Sequence, residues 1–263
     1  MRELEREPPE NPSCSRLAII GRGRLGTALG LALAEAGVGV IGPLGRGGLA
    51  GVGSLGRDGL PAMASVDAVL LCVPDGEIAA AAAAVDVGPL VGHCSGASPL
   101  ASLAPHEAFS LHPLMTVTAE GASFLGAGAA IAGSTRRALK LASQLARALG
   151  MRPVELAEED RAAYHAAASI ASNFLVTLEA AAERLAATAS VERELLVPLV
   201  RATVENWAAT GAERALTGPV ARGDGATVAR QRAAIADRAA DLLPLFDALV
   251  VATRALAEHG VLA

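Results

Sequence analysis

The sequence predicts an α/β protein in which a doubly wound, mostly parallel sheet is followed by an all-helical C-terminal domain. Between residues 17 and 156, short apolar runs alternate with helix-forming segments, as in a parallel sheet covered on both faces. After residue 158 the strand pattern ends, and long segments rich in Ala, Leu, Glu and Arg follow. We therefore predict a disordered tail over 1–15, a sheet domain over 16–158 and a helical domain over 159–263.

The individual elements follow from the same patterns. Strands are predicted at 17–20, 38–41, 68–73, 90–94, 108–111, 129–132 and 153–156. Helices are predicted within the sheet domain at 25–35, 77–84 and 136–149. In the helical domain they are predicted at 160–187, 191–210 and 227–259, with turns at Ser190, Gly211 and 218–225.

Composition argues against several classes of protein. The 263 residues are 52% hydrophobic with a net charge of -5, and arginines are scattered among acidic residues, so we expect no nucleic-acid partner. No apolar run reaches the roughly 20 residues that span a bilayer, and residues 1–15 lack the apolar core of a signal peptide. We expect a cytoplasmic protein without membrane contact. Cys14, Cys72 and Cys94 show no CxxC spacing, which predicts a reduced compartment and no metal site.

A GxGxxG motif is formed by Gly21-Arg22-Gly23-Arg24-Leu25-Gly26. It follows the first predicted strand and opens the first predicted helix, as dinucleotide binding requires. Gly21 permits a tight turn, Gly23 lets the backbone approach a pyrophosphate, and Gly26 lets the helix pack against the strand. The free N–H groups at the helix N-terminus then face the phosphates. The motif predicts a Rossmann domain; the alternative is a glycine-rich turn without a ligand.

The residues after the second predicted strand bear on the choice of cofactor. NAD-binding versions of the motif place an Asp or Glu about 20 residues further on, at the ribose 2'-hydroxyl. Here the chain continues as Gly42-Pro43-Leu44-Gly45-Arg46, without a carboxylate. Arg46 is placed to meet a 2'-phosphate, and Arg22 or Arg57 can assist. The sequence favours NADP over NAD; the alternative is that Arg46 is a solvated loop residue.

Several segments in order resemble one family. They are the glycine motif, Val73-Pro74-Asp75, the His-Cys-Ser-Gly segment 93–96, the Ser-Leu-His-Pro-Leu segment 110–114 and the segment 216–224. Over residues 16 to 260 the chain is similar to Rossmann-like and DUF2520 domain proteins, relatives of pyrroline-5-carboxylate reductase, prephenate dehydrogenase and 6-phosphogluconate dehydrogenase. The resemblance implies a helical domain that often forms a dimer, and a substrate bound between the domains. An association of family members with pantothenate synthesis makes ketopantoate reduction a candidate reaction.

Polar residues follow the strands at the edge where open α/β sheets bind ligands. We expect Val73, Pro74 and Asp75 at the cofactor and Ser95 among the catalytic groups. For Asp75 the alternative is an N-cap of the helix predicted from residue 77. His93 is expected to be structural, because its neighbours make it part of a strand.

His112 is the leading acid/base candidate. It closes a predicted strand, and Pro113 forces the chain that follows into an extended turn. A histidine with a pKa near neutrality can give or take the proton that carbonyl or imine reduction requires. Prephenate dehydrogenases carry a similar Ser after one strand and His-Pro after the next, so Ser95 and His112 match that pair. The alternative is a buried, structurally hydrogen-bonded histidine.

Polar residues also form a row on the first helix of the second domain: His165, Ser169, Ser172 and Asn173. Polar groups are otherwise scarce there, so we expect the row to face the cleft, with His165 and Asn173 as catalytic candidates and Ser169 at the substrate. Hydrogen bonding between helices is the alternative. Tyr164, the only tyrosine, is an alternate proton donor.

The only lysine is Lys140, in the last helix predicted for the sheet domain. Ketopantoate, hydroxyisobutyrate and 6-phosphogluconate enzymes of the resembled superfamily use a lysine of the helical domain as the acid. His165 occupies roughly that place here. Mechanisms based on lysine are therefore disfavoured.

The loop 217–227 resembles by location the substrate loop of pyrroline-5-carboxylate reductases. Arg222 and Thr227 beside a helix N-terminus suit a substrate carboxylate, and Asp224 can orient Arg222; an ordinary capped turn is the alternative.

Together these observations predict an NADP-dependent oxidoreductase acting on a small carbonyl or imine substrate that bears a carboxylate. A cofactor-binding sensor or assembly protein without turnover is the alternative. The helical domain, rich in Ala and Leu, is expected to form a homodimer.

Overall fold

The computed structural model describes residues 16–45, 66–118 and 121–259. The chain divides into two compact units, Met1–Ile170 and Ala171–Ala263. The tail predicted over 1–15 lies outside the described residues.

The first unit is built on one sheet, which has seven strands in the part of the chain that the structure describes. The strands are β1 (Arg16–Ile20), β2 (Gly39–Leu44), β3 (Ala68–Leu71), β4 (Leu90–His93), β5 (Ala108–Leu114), β6 (Gly128–Gly133) and β7 (Arg152–Glu155). Their spatial order is β2-β1-β3-β4-β5-β6-β7. The first five run parallel, whereas β6 pairs antiparallel with β5 and parallel with β7. The predicted mostly parallel α/β sheet is confirmed.

The order of the strands creates a crevice at one edge of the sheet. The chain leaves β1 toward β2 on one side and continues to β3 on the other side of β1. Ligands of open parallel sheets bind outside the carboxyl ends of the strands at such a reversal. Ile20 of β1 lies beside Leu71 of β3, and Leu71 lies beside His93 of β4. The segments that follow these three strands therefore meet at this edge.

Three helices cover the sheet: α1 (Arg24–Glu35), α2 (Ile78–Ala83) and α3 (Arg136–Ala148). Successive side chains of a strand point to opposite faces, so β1 contributes to two cores. Leu17 and Ile19 pack with residues of α1 and α3, whereas Ala18 and Ile20 pack with residues of α2. Burial on both faces explains the continuous apolar run of this strand.

Three strands end two or more residues away from their predicted ends. β2 continues through Leu44, and β3 ends at Leu71. β5 extends to Leu114, so His112 lies inside a strand and does not close it. The extension is stabilised by antiparallel pairing with β6, in which His112 lies opposite Ala130. That long-range pairing has no signature in the residues around Pro113, which by itself is typical of a strand end.

A single turn, Glu158–Asp160, leads from β7 into α4 (Arg161–Ser169), the last helix of the first unit. α4 belongs with the sheet because Arg161 and Tyr164 form hydrogen bonds to side chains of β5. The two compact units therefore divide after Ile170, later in the chain than the domain boundary predicted between residues 158 and 159. The predicted domain boundary stays a prediction.

The second unit is helical. Its helices are α5 (Leu175–Ala187), α6 (Arg193–Thr210), α7 (Ala212–Ala215), α8 (Gly225–Arg238) and α9 (Leu243–His259). The single helix predicted over 227–259 is wrong: the chain breaks at Ala239, where φ is -157° and ψ is 59°. Pro244 explains the new start, since proline fits the first turn of a helix but not its interior.

A π-helical segment, Ile170–Phe174, connects α4 to α5. Its wider turn replaces the regular helix predicted over 160–187. The regular spacing assumed for Ser172 and Asn173 is therefore wrong. No helix among the described residues is long and apolar enough to cross a membrane.

Candidate active site

The glycine motif occupies the turn from β1 into α1, and two of its glycines are required by packing. Gly21 has φ of +117°, and a Cβ there would overlap the carbonyl oxygen of Cys72. A Cβ on Gly26 would overlap the carbonyl oxygen of Gly21. Gly23 differs, because a Cβ there would meet no atom within 4 Å. The space beside Gly23 is open to a ligand, whereas the other two glycines hold the turn together.

A cavity of about 640 Å³ opens beside this turn. It is lined by the turn itself, by Gly45 after β2, by the segment after β3 and by one side of α2. Gly23 is the N-cap residue of α1 and provides no side-chain cap, and no acidic residue stands in the first turn. The first N–H groups of α1 are thus left for a ligand, and they favour an anion. Val73 and Pro74, predicted at the cofactor, line the same cavity.

Arginine lies where β2 ends. A Cβ built on Gly45 would lie 3.6 Å from Nε and 3.7 Å from Cζ of Arg22, so the Arg22 guanidinium passes beside the end of β2. Arg24 is exposed in the first turn of α1. Arg46 and Arg57 lie outside the described residues.

Ser95 joins the ends of β3 and β4. Its hydroxyl donates to Oδ2 of Asp75 at 2.8 Å and accepts from the N–H groups of Ala97 at 3.1 Å and Ser98 at 2.9 Å. These bonds use the donor and both acceptor positions of the hydroxyl. Asp75 opens a short 3-10 turn without capping α2, so the N-cap alternative for it is wrong.

His93 is fully buried at the end of β4. The N–H of Ser95 donates to its Nδ1 at 3.2 Å, so the proton of the neutral ring lies on Nε2, which has no partner among the described residues. Burial, followed by the positive charge of Arg161, lowers the pKa of His93 to about 4. The ring is therefore neutral at pH 7.

His112 lies beside two side chains of α4, those of Tyr164 and His165. Its Nδ1 is 2.8 Å from the hydroxyl oxygen of Tyr164, and the two rings meet edge to face at 5.5 Å between centroids. The ring of His165 lies 6.2 Å away. A Cβ on Gly96 would come within 3.0 Å of both histidine rings, so this glycine lets them approach the end of β4.

Burial, followed by the Coulombic influence of His165, lowers the pKa of His112 to about 4, and Asp75 opposes this shift. His112 is therefore uncharged at pH 7, where it can accept a proton but is not an imidazolium acid. Burial raises the pKa of Tyr164, which keeps its hydroxyl protonated. The structure thus pairs a neutral imidazole with a protonated phenol.

Arg161 is a buried cation that the sequence reasoning missed. It is 3% exposed, donates from Nη2 to the Ser110 hydroxyl at 2.7 Å, and forms an ion pair with Glu158 at 3.0 Å. A buried charge needs such partners. Arg161, Tyr164 and His165 have the i, i+3, i+4 spacing of one helix face, which was the available signal.

The two cysteines of the described residues are adjacent. Cys72 and Cys94 follow the paired strands β3 and β4, with their sulfur atoms 3.6 Å apart. The hydrogen bond with Cys72 and burial raise the pKa of the Cys94 thiol. Cys72 also lines the cavity beside the glycine motif. Within the described residues, no His, Cys, Asp and Glu side chains form a cluster able to hold a metal ion.

The remaining predicted residues belong to the second unit or to its border. Ser169 ends α4, and Asn173 is exposed in the π-helical segment. Asp224 is the N-cap of α8, because its carboxylate accepts from the N–H of Thr227 at 2.9 Å. That bond lowers the pKa of Asp224, which keeps the cap ionised. The carboxylate therefore occupies the N-terminus of α8, and Arg222 acts on it through its charge.

Residues 127–253 match the model of a family described as a domain of unknown function, DUF2520. The predicted resemblance to DUF2520 proteins is thereby confirmed. The comparison with curated proteins gives no significant match.

Solved structures share the fold along nearly the whole chain. A candidate NADP oxidoreductase from Bacteroides fragilis is 19% identical, with a TM-score of 0.75, and the match covers 91% of this chain and 98% of that one. A protein from Thermotoga maritima is 24% identical over 92% of this chain and 98% of its own, with a TM-score of 0.71. Pyrroline carboxylate reductase from Plasmodium falciparum, solved with NADP bound, is 14% identical over 92% and 98%, with a TM-score of 0.53. At these identities the likeness establishes the Rossmann fold.

Proposed function

We propose that this protein is an NADP-dependent oxidoreductase that transfers a hydride to or from a small, carboxylate-bearing carbonyl or imine compound, for example a ketopantoate-like 2-oxo acid. The observation that carries the proposal is a shared edge. A cradle suited to phosphate follows β1, and a histidine–tyrosine pair lies on α4 and toward the carboxyl end of β5 in the same sheet. A dinucleotide and a proton-transfer group are the two things that such a reaction needs.

The residues at the cradle fit the pyrophosphate of a dinucleotide. Gly23 leaves open space, and the uncapped N-terminus of α1 offers N–H groups. Val73 and Pro74 provide an apolar wall after β3. The cofactor, when bound there, supplies or accepts the hydride, and the chain's own residues handle the proton.

NADP is favoured by the charges around the end of β2. Arg22 passes beside Gly45, and Arg46 follows directly in the sequence. Neither β2 nor Gly45 contributes a carboxylate that would repel a 2'-phosphate. Arg22→Ala and Arg46→Ala are each expected to lower the affinity for NADPH at least fivefold more than the affinity for NADH. Titrations followed by protein fluorescence measure both affinities. Arg147→Ala, on exposed surface of α3, is the matched control, and equal losses for both nucleotides would contradict the assignment.

Turnover is tested directly. Purified protein should bind NADPH, and a screen of 2-oxo acids and cyclic imines should find a compound that oxidises it. Oxidation is measured as the loss of absorbance of the reduced nicotinamide. His112→Ala should remove that activity and leave NADPH binding intact. If NADPH binds, no compound is turned over and His112→Ala changes nothing, the enzymatic proposal fails.

A cofactor-binding sensor without turnover is the second candidate. It is favoured by the absence of a lysine acid, since Lys140, the only lysine of the sequence, is exposed on α3, and by the lowered pKa of His112. Such a protein would bind NADPH and NADP with clearly different affinities, because a sensor must distinguish the two redox states. Similar affinities together with substrate turnover would exclude it.

The second unit is proposed to form a homodimer. α6 has no buried residue over its 18 residues, and Leu195 and Leu199 are about two-thirds exposed at 68% and 65%. Large exposed apolar side chains are typical of association surfaces. Leu199→Arg should lower the molar mass in sedimentation equilibrium from two chains to one, whereas Arg201→Ala on the same helix should not.

A further inference from the structure

We infer that Tyr164 is a positioning residue that fixes the tautomer of His112. As His112 donates a proton to the substrate, Tyr164 supplies a replacement proton through a two-step relay. This inference rests on the proposed reductase function and names the origin of the proton. His112 Nε2 would face the substrate oxygen or nitrogen, and the Tyr164 hydroxyl would donate to Nδ1. The two residues are 52 positions apart in the sequence and 2.8 Å apart in the structure.

The direction of the hydrogen bond follows from the chemistry of the two groups. A phenol is a stronger acid than a neutral imidazole N–H, and an imidazole nitrogen is a stronger base than a phenol oxygen. The favoured bond therefore runs from the Tyr164 O–H to Nδ1 of His112. Because a neutral imidazole has one proton, that proton then lies on Nε2.

Nε2 of His112 is free to act on a ligand. It makes no hydrogen bond to any described residue. It is also not one of the fully buried side-chain atoms that lack a partner among the described residues, which are Nε2 of His93 and Nδ1 of His106. The neighbouring Gly96 removes the side chain that would otherwise press on the His112 ring. An open N–H donor thus stands at the ligand-binding edge of the sheet.

The electrostatic surroundings keep this pair in its neutral form. His112 is faced by His165 and Arg161 from α4 and by Asp75 after β3, and burial makes the largest contribution to its lowered pKa of about 4. Tyr164 is half-buried, and burial raises its pKa. A direct imidazolium acid would be scarce at pH 7, whereas a neutral relay needs no prior protonation.

The relay balances its protons and electrons. As hydride adds to the carbonyl or imine carbon, the Nε2–H bond of His112 breaks and an O–H or N–H bond forms on the substrate. The Tyr164 O–H bond breaks and an Nδ1–H bond forms, so His112 stays neutral in the other tautomer. After the product leaves, Nε2 takes one proton from water while the Nδ1 proton returns to the Tyr164 phenolate, which restores the starting pair.

The tautomer is measured without substrate. Nitrogen NMR of histidine-labelled protein at pH 7 separates protonated from bare ring nitrogens, and His112→Gln assigns the signals. We expect the His112 proton on Nε2 in the natural protein and a mixture of tautomers in Tyr164→Phe. A proton on Nδ1 in the natural protein overturns the inference, whatever the outcome of the turnover screen.

Kinetics test the relay once a substrate is found. Tyr164→Phe should lower kcat by about 100-fold or more with NADPH affinity within twofold of the natural value. The kcat of the natural protein should stay level from pH 6 to 9 and fall only at the pH where Tyr164 ionises. Because Tyr164 is the one tyrosine of the sequence, ultraviolet absorbance reports that ionisation directly. Ser143→Ala on α3 is the control for loss of a hydroxyl. A rate that falls steadily from pH 5 to 7, or a Tyr164→Phe loss below threefold, shows that His112 acts alone and overturns the relay. Absence of any turnover would instead defeat the proposed function while leaving the tautomer result to stand.

Discussion

The hydroxyl of Ser95 donates a 2.8 Å hydrogen bond to Oδ2 of Asp75 and thereby links the segments that follow β3 and β4. The same oxygen accepts two backbone N–H groups, so it is the centre of the turn after β4. These hydrogen bonds account for a serine at the carboxyl edge of the parallel strands without requiring it to touch a ligand. Ser95 is 7% exposed, which agrees with an organising role.

Ser95→Ala is expected to lower the free energy of unfolding by about 1–3 kcal/mol, because two N–H groups and a carboxylate lose their partner. That corresponds to a fall in Tm of roughly 2–10 °C for a protein of this size, measured by calorimetry. NADPH affinity should also fall severalfold. Ser98→Ala is the matched control, since its side chain forms no hydrogen bond with the described residues, and equal effects in both variants would contradict the role of Ser95.

Gly23→Ala should separate ligand binding from folding. A Cβ at position 23 meets no neighbour and φ is -72°, so the variant should melt within about 2 °C of the natural protein. NADPH should bind at least tenfold more weakly, because the new methyl group enters the space beside the helix N-terminus. Gly26→Ala is the opposite case, with a Cβ that overlaps backbone, and should unfold readily. Unchanged NADPH affinity in Gly23→Ala would show that the cradle is not the cofactor site.

Much of the first unit could be predicted because its signals are local. β1 and β3 are buried on both faces and show as unbroken apolar runs, and the glycine motif lies in a turn whose geometry few other residues allow. The sequence positions of Ser95 and His112 also predicted that the two residues lie toward the same edge of the sheet, and the His112 ring does approach the segment after β4.

The contacts that make the site chemically specific could not be predicted, because they join distant parts of the chain. Arg161 reaches Ser110 across 51 positions, and only the fold shows that this arginine is buried. The extension of β5 past His112 depends on β6 as a partner. The break at Ala239 is a local departure from helical backbone angles. It could not be predicted because residues 227–259 have a helix-forming composition throughout.

Cys72 provides a chemical probe of the proposed cofactor cavity. It is partly exposed and lines the cavity, whereas Cys94 is buried with a raised thiol pKa. In a Cys14→Ser background, N-ethylmaleimide should modify Cys72 first, and saturating NADPH should slow the reaction at least fivefold as followed by mass spectrometry. Protection should disappear in Gly23→Ala. Labelling of Cys72 at the same rate with and without NADPH would place the nucleotide elsewhere.

The buried His93 predicts a specific loss of stability in mild acid. Its pKa is about 4 in the folded protein, whereas a histidine of an unfolded chain has a pKa of about 6.5, so the unfolded chain takes up a proton more readily. Its contribution to the free energy of unfolding is therefore complete above pH 6.5 and is lost as the pH falls toward 4, by about 3 kcal/mol at most. His93→Asn can still accept the Ser95 N–H but cannot titrate, so its stability should change less between pH 6.5 and 4. Urea unfolding of both proteins at matched pH cancels the contribution of the carboxylates. Parallel curves for the two proteins would show that His93 is already protonated in the fold, contrary to its burial beside Arg161.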